Sequence, residues 1–154
     1  FRSIFGSYNL KKFAVKFESN NKDKNLYYHS GIKINDYYKY EFVPQKPLDF
    51  KGLNLYFSFL PGINIKIKNI TLYSKNQAKT FVGEDMLFSS KFSYLENKSE
   101  FLSILLLNQK DDVVQLIFNK NTLTSNLDFF NSIDKIEILM NFNKMNLTNK
   151  DFCS

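Results

Sequence analysis

The chain has 154 residues, 44% hydrophobic and 17% aromatic, with 17 Phe, 9 Tyr and no Trp; this fits one domain with a sizeable core and excludes a disordered chain. No stretch is long and apolar enough to span a bilayer as a helix, so no transmembrane segment is expected. The net charge of +6 raises nucleic acid or an anionic membrane, yet 20 of the 21 basic residues are Lys and only Arg2 is Arg, whereas readers of phosphate and base edges favour the Arg fork. Lys, Asn, Ile and Phe share A/T-rich codons, so a biased, bacterial-type genome accounts for the dispersed lysines, and nucleic acid is not expected as a partner.

Alternation with period two dominates the chain. Phe13, Val15 and Phe17 alternate with Lys12, Ala14 and Lys16, and Leu53, Leu55, Phe57 and Phe59 do the same. Ile63, Ile65 and Ile67 follow, with Pro61-Gly62 reading as the turn that joins them to the preceding strand in a hairpin. The phase then slips near Asn69, and Ile70 and Leu72 carry the apolar face onward, as a β-bulge would require. Glu100 to Leu107 and Val113 to Phe118, separated by five polar residues, read as another hairpin, and Ile133 to Phe142 alternates again. Polar loops are expected at Ser19 to Asn25, Ser74 to Lys79, Glu96 to Ser99 and Asn119 to Asn126. One helical turn is expected within Ser125 to Ser132, with Ser125 as its cap. Eight to ten strands without intervening helices predict an all-β fold, an antiparallel β-sandwich of jelly-roll or Greek-key type. With no internal repeat and no linker, residues 1–154 are expected to form a single domain, part of a larger protein; a start at Phe1 rather than Met fits a fragment or a processed product, after removal of a signal or with a preceding domain.

Little in the sequence points to catalysis. His29 is the only histidine, the five glycines are isolated, and no Gly-x-Ser-x-Gly elbow or phosphate loop occurs. Glu84-Asp85 and Asp111-Asp112 are adjacent pairs, whose side chains leave a strand on opposite faces. The single cysteine, Cys153, permits neither an intrachain disulfide nor a cysteine-based metal site. No cofactor and no metal are expected, and the chain is not expected to be catalytic by itself. Three Asn-x-Ser/Thr sequons, at Asn69, Asn97 and Asn146, are about what the composition yields by chance.

The densest unusual stretch runs from Tyr27 to Tyr40 and holds five tyrosines with His29, Asn35 and Asp36. Aromatic faces with polar tips suit a saccharide or a protein surface, and Tyr28, His29, Asp36, Tyr38 and Tyr40 are the candidate ligand-binding residues. The competing reading is that these tyrosines pack as strand formers. Alternation puts Tyr38 and Tyr40 on one face and Tyr37 on the other.

Within Leu48 to Lys75, Leu55, Phe57 and Phe59, then Pro61-Gly62, then Ile65, Ile67, Ile70 and Leu72 form a strand-turn-strand pattern. It resembles the accessory β-sandwich modules, of the carbohydrate-binding kind, found in bacterial cell-surface-polysaccharide glycosyltransferases. The resemblance covers 28 residues and carries no catalytic residue. It implies a non-catalytic accessory module that holds a saccharide or a neighbouring catalytic domain, and a cytoplasmic or membrane-associated setting in preference to a secreted one. A structural or adhesive protein-interaction domain is the alternative.

Overall fold

The computed structural model describes residues 13–19, 26–28, 31–57, 63–90, 94–105 and 113–144. These form two antiparallel sheets. The strands are β1 (Phe13–Ser19), β2 (Leu26–Tyr28), β3 (Ile32–Ile34), β4 (Tyr37–Phe42), β5 (Phe50–Phe57), β6 (Ile63–Ser74), β7 (Gln77–Phe81), β8 (Met86–Ser89), β9 (Tyr94–Asn97), β10 (Leu102–Leu105), β11 (Val113–Phe118) and β12 (Lys135–Lys144). The smaller sheet has the order β2-β1-β5-β11-β8; the larger runs β3-β4-β12-β6-β10-β9, with β7 also paired to β6. One hydrophobic cluster joins the inner faces of both sheets, so the fold is the expected all-β sandwich.

Apolar alternation sets which residues turn inward. Val15 and Phe17, Leu53 and Leu55, Val114 and Leu116, and Ile136, Ile138 and Met140 are all buried. On β6 the inward set is Ile65 and Ile67, then Ile70 and Leu72. The change of phase is a real bulge: Leu139 stands opposite Asn69 and Met140 opposite Ile67, which leaves Lys68 as the extra residue. Phe rings close the core where β11, β7 and the following helices meet. The Phe118 ring lies 5.0 Å from Phe81, 5.2 Å from Phe130 and 5.9 Å from Phe50, in tilted or edge-on arrangements.

Several local expectations fail for identifiable reasons. Twelve strands are present among the described residues, more than the eight to ten expected, because β2 and β3 are only three residues long. β5 and β6 are not a hairpin but belong to different sheets, and so do β10 and β11. Period-two patterning marks the buried face of a strand and carries no information about which sheet receives it. Pro61-Gly62 lies outside the described residues.

The expected loop at Ser74 to Lys79 is a hairpin, with Lys75 and Asn76 at φ 49° and 70° in its turn and β7 beyond it. Gln77 to Thr80 are all exposed, so this edge strand has no apolar alternation to read. The polar stretch after Asn119 is helical: α1 (Lys120–Thr124) is capped by the Asn119 side chain, which accepts from the Thr122 amide at 3.0 Å. Ser125 is therefore the C-terminal cap of α1, and α2 (Leu127–Phe130) begins after Asn126.

Gly52 lies where β5 meets β11, opposite Ile117; a Cβ placed there would sit 2.2 Å from the Leu116 carbonyl oxygen. Gly52→Ala is expected to destabilise the sandwich by about 2 kcal/mol or more, because backbone on both strands must shift to admit the methyl. A urea midpoint measured against wild type reads this directly; an unchanged midpoint would show that the two strands yield freely.

Candidate functional site

The five candidate residues from the tyrosine-rich stretch do not converge. Tyr28 is on β2 of the five-stranded sheet, whereas Tyr38 and Tyr40 are on β4 of the seven-stranded sheet. His29 lies outside the described residues. Asp36 is exposed on the turn between β3 and β4. Tyr38 and Tyr40 share a face, as alternation requires, and it is the inner one: both rings pack on Phe142, with centroids at 5.6 and 6.3 Å.

Tyr40 is 0% exposed and belongs to the core, so it must be withdrawn from any ligand surface. Burial is the main cause that pushes its hydroxyl far above the usual phenol range, with the neighbouring Tyr38 adding to it. Gly31, at φ 79°, passes so close that a Cβ there would lie 2.8 Å from the Tyr40 ring.

The other face of the same sheet carries a different constellation. Registers place Glu41 of β4, Glu137 of β12, Thr71 of β6 and Thr80 of β7 in one row across four strands. Lys135 and Tyr73 form the adjacent row, and Lys39 and Leu139 lie on the other side. Two carboxylates directly opposite one another repel, and here two lysines are interleaved with them. The Lys39 ammonium lies 3.2 Å from Glu41 and 3.4 Å from Glu137; that of Lys135 lies 3.8 Å and 3.3 Å from the same two residues. The Tyr73 hydroxyl donates to the remaining Glu137 oxygen at 2.5 Å, and Lys135 sits 4.8 Å from the Tyr73 ring centroid. Farther along, Lys68 reaches over Tyr37, 4.6 Å from its centroid.

Glu137 is the centre of this lattice, with its side chain only 13% exposed. Desolvation alone would raise its pKa. The Tyr73 hydrogen bond, the Lys135 hydrogen bond and charge, and the Lys39 charge together outweigh it and hold the carboxyl below its ordinary value. The Tyr73 phenol is raised chiefly by donating to Glu137, and Lys39 chiefly by its bond to Glu41. Glu41 and Glu137 stand directly opposite one another, and Glu137 lacks the raised pKa that a general acid needs. The lattice is suited to presenting fixed charges and hydrogen-bonding groups on a flat surface. Among the described residues, no group of three or more His, Cys, Asp or Glu is placed to hold a metal ion, and no helix is long and apolar enough to cross a membrane.

An open groove of about 450 Å³ lies between β7 and the helices, lined in part by Gln77, Lys79, Asn126 and Asp128. Its central groups serve the fold: Lys79 donates to Asn126 Oδ1 at 2.7 Å, Asn126 donates to the Thr122 carbonyl at 2.8 Å, and Lys79 covers the Phe129 ring. The outer face of the seven-stranded sheet is therefore the stronger candidate. Sequence reading placed Tyr37 on the face opposite Tyr38 without selecting it, and it missed Tyr73, Lys135 and Glu137, which reach β4 only through long-range register.

Because the folded pKa of Glu137 is lowered from its ordinary value of 4.5, its contribution to stability is present above that value and is lost as pH falls through the folded pKa. Wild type is expected to lose denaturant stability more steeply than Glu137→Gln between about pH 5 and pH 3. Parallel pH profiles for the two proteins would remove Glu137 from the centre of the lattice. Tyr40→Ala, by contrast, is expected to cost about 3–5 kcal/mol at neutral pH, so any loss of binding in that variant reports on folding. Compared with known proteins, the chain matches no family model, no curated protein and no solved structure.

Proposed function

We propose that this chain is a non-catalytic saccharide-binding module that works through the outer face of its seven-stranded sheet, as an accessory part of a bacterial protein that makes or recognises surface glycans. The observation that carries the reading is the pair of half-buried tyrosines, Tyr37 and Tyr73, with the Lys39–Glu41–Lys135–Glu137 lattice between them. Sugars are bound by aromatic rings against their C–H faces and by fixed polar groups against their hydroxyls, and both kinds of group are present here.

The register makes Tyr73 level with Lys135, which is one residue beyond the Ile136–Phe42 pair. Tyr37 and Tyr73 are thus separated by about 20 Å along the strands and about 10 Å across them. That span suits several units of an extended glycan rather than a monosaccharide. Ile32 and Ile34, exposed on edge strand β3 beside Lys39 and Tyr37, extend the apolar part of the surface.

Tyr37→Ala and Tyr73→Ala are each expected to weaken glycan binding about 3- to 10-fold, the usual worth of one aromatic contact; Tyr37→Ala leaves the thermal midpoint nearly unchanged, whereas Tyr73→Ala lowers it by removing the hydrogen bond to Glu137. Calorimetry on hits from an array of bacterial glycans measures this. No hit above a denatured control would end the saccharide reading.

A second reading, a protein-interaction domain, is favoured by Leu87 and Ile117. They stand directly opposite one another on β8 and β11, 55% and 40% exposed at the edge of the other sheet. If it is right, light scattering is expected to show self-association that Leu87→Lys abolishes; a strict monomer at high concentration would count against it.

A further inference from the structure

We infer that the saccharide taken by this face is acidic, and that Lys68 and Lys66, which reach to opposite sides of β6, each receive a carboxylate or sulfate of it. This rests on the saccharide-binding reading and adds the class of ligand. The lysines of the outer face fall into two kinds. Lys39 and Lys135 are neutralised by Glu41 and Glu137, and Lys98 by Glu96, three charges against three.

Lys66 and Lys68 have no acid within salt-bridge distance among the described residues. Each instead rests on a ring, Lys66 at 5.0 Å over Phe101 and Lys68 at 4.6 Å over Tyr37. An ammonium above a ring is partly desolvated on one side and keeps donors free on the other, so an anion can be added without displacing it.

The bulge changes what lies beside Lys68. In a regular strand Lys66 and Lys68 would face outward and Asn69 inward. Here Lys68 is the extra residue, Asn69 is only half-buried, and Ile70 returns to the core. Re-aiming side chains beside a site is a common use of a bulge. The surplus of two positive charges here agrees in sign with the net +6 of the chain.

The test is binding of the whole chain to polygalacturonate, dextran sulfate and neutral dextran, with a single-stranded DNA oligomer as a fourth probe. The acidic polysaccharides are expected to bind at least about 10-fold more tightly than dextran, and to weaken as salt is raised. Lys68→Ala and Lys66→Ala are each expected to lose about 2- to 5-fold, and Lys68→Glu more, while Lys51→Ala on the other sheet changes nothing. Circular dichroism of each variant separates these losses from misfolding.

Binding of one acidic polymer and not the other supports the inference and identifies the group received. Equal binding of dextran overturns it and leaves the saccharide reading standing; no binding of any polysaccharide removes both. Tighter binding of DNA than of either acidic polymer overturns it in favour of nucleic acid.

Discussion

The pairing of β6 with β12 is the constraint on which the larger sheet depends. Their register runs from Lys135–Tyr73 to Lys144–Ile63, and every other strand of that sheet hangs on one of the two. β12 carries β4 and, through it, β3; β6 carries β7 at one end and β10, with β9, at the other. Closing this pair brings together segments far apart in the chain, an entropic cost met before any contact forms. The return is a ladder whose inner side chains, Ile65, Ile67, Ile70, Leu72, Ile136, Ile138 and Met140, are all essentially inaccessible to water. The bulge at Lys68 keeps both halves of β6 turned inward against a partner that has no extra residue.

The same two strands supply most of the outer surface proposed to bind ligand. Tyr73, Thr71, Lys68 and Lys66 come from β6, and Glu137 and Lys135 from β12. Apart from Lys68 at the bulge, each alternates with a core residue, so packing beneath the sheet fixes the spacing of the groups above it. Sites on such elements are better defined than sites on loops. The charge lattice adds its own constraint, since Glu137 is held by two ammonium groups and one phenol. A change in that carboxylate reaches both rows of the surface at once.

What the sequence made legible was local. Alternation identified β1, β5, β6, β11 and β12, and a one-residue slip among isoleucines located the bulge without any knowledge of its partner strand. What it could not supply was pairing. The runs ending at Leu107 and starting at Val113 look like a hairpin because both are apolar and the gap is short, yet β10 and β11 lie in different sheets. β7 was invisible for the opposite reason, since an exposed edge strand needs no apolar residue until Phe81. The candidate site shows the same division. Residue types suitable for a sugar were recognisable between Tyr27 and Tyr40, but burial sorted them. Tyr40 went into the core, and Tyr37 was left outside, beside partners supplied by β6 and β12.

Composition and placement answer different questions about the lysines. A codon bias can supply twenty lysines without selecting a position for any of them. On the outer face of the larger sheet they are nevertheless arranged by kind. Two fill the gaps between carboxylates that would otherwise repel, and two lie on aromatic rings with no acid in reach among the described residues. The first pair lets a facing Glu41–Glu137 row exist on a sheet at all. The second pair contributes nothing comparable to the ladder, because an exposed ammonium over a ring is worth only about 0.5–1 kcal/mol. That second pair is the one on which the proposal of an acidic ligand rests. Register decides that distinction: it sets which lysines meet a carboxylate and which meet only a ring.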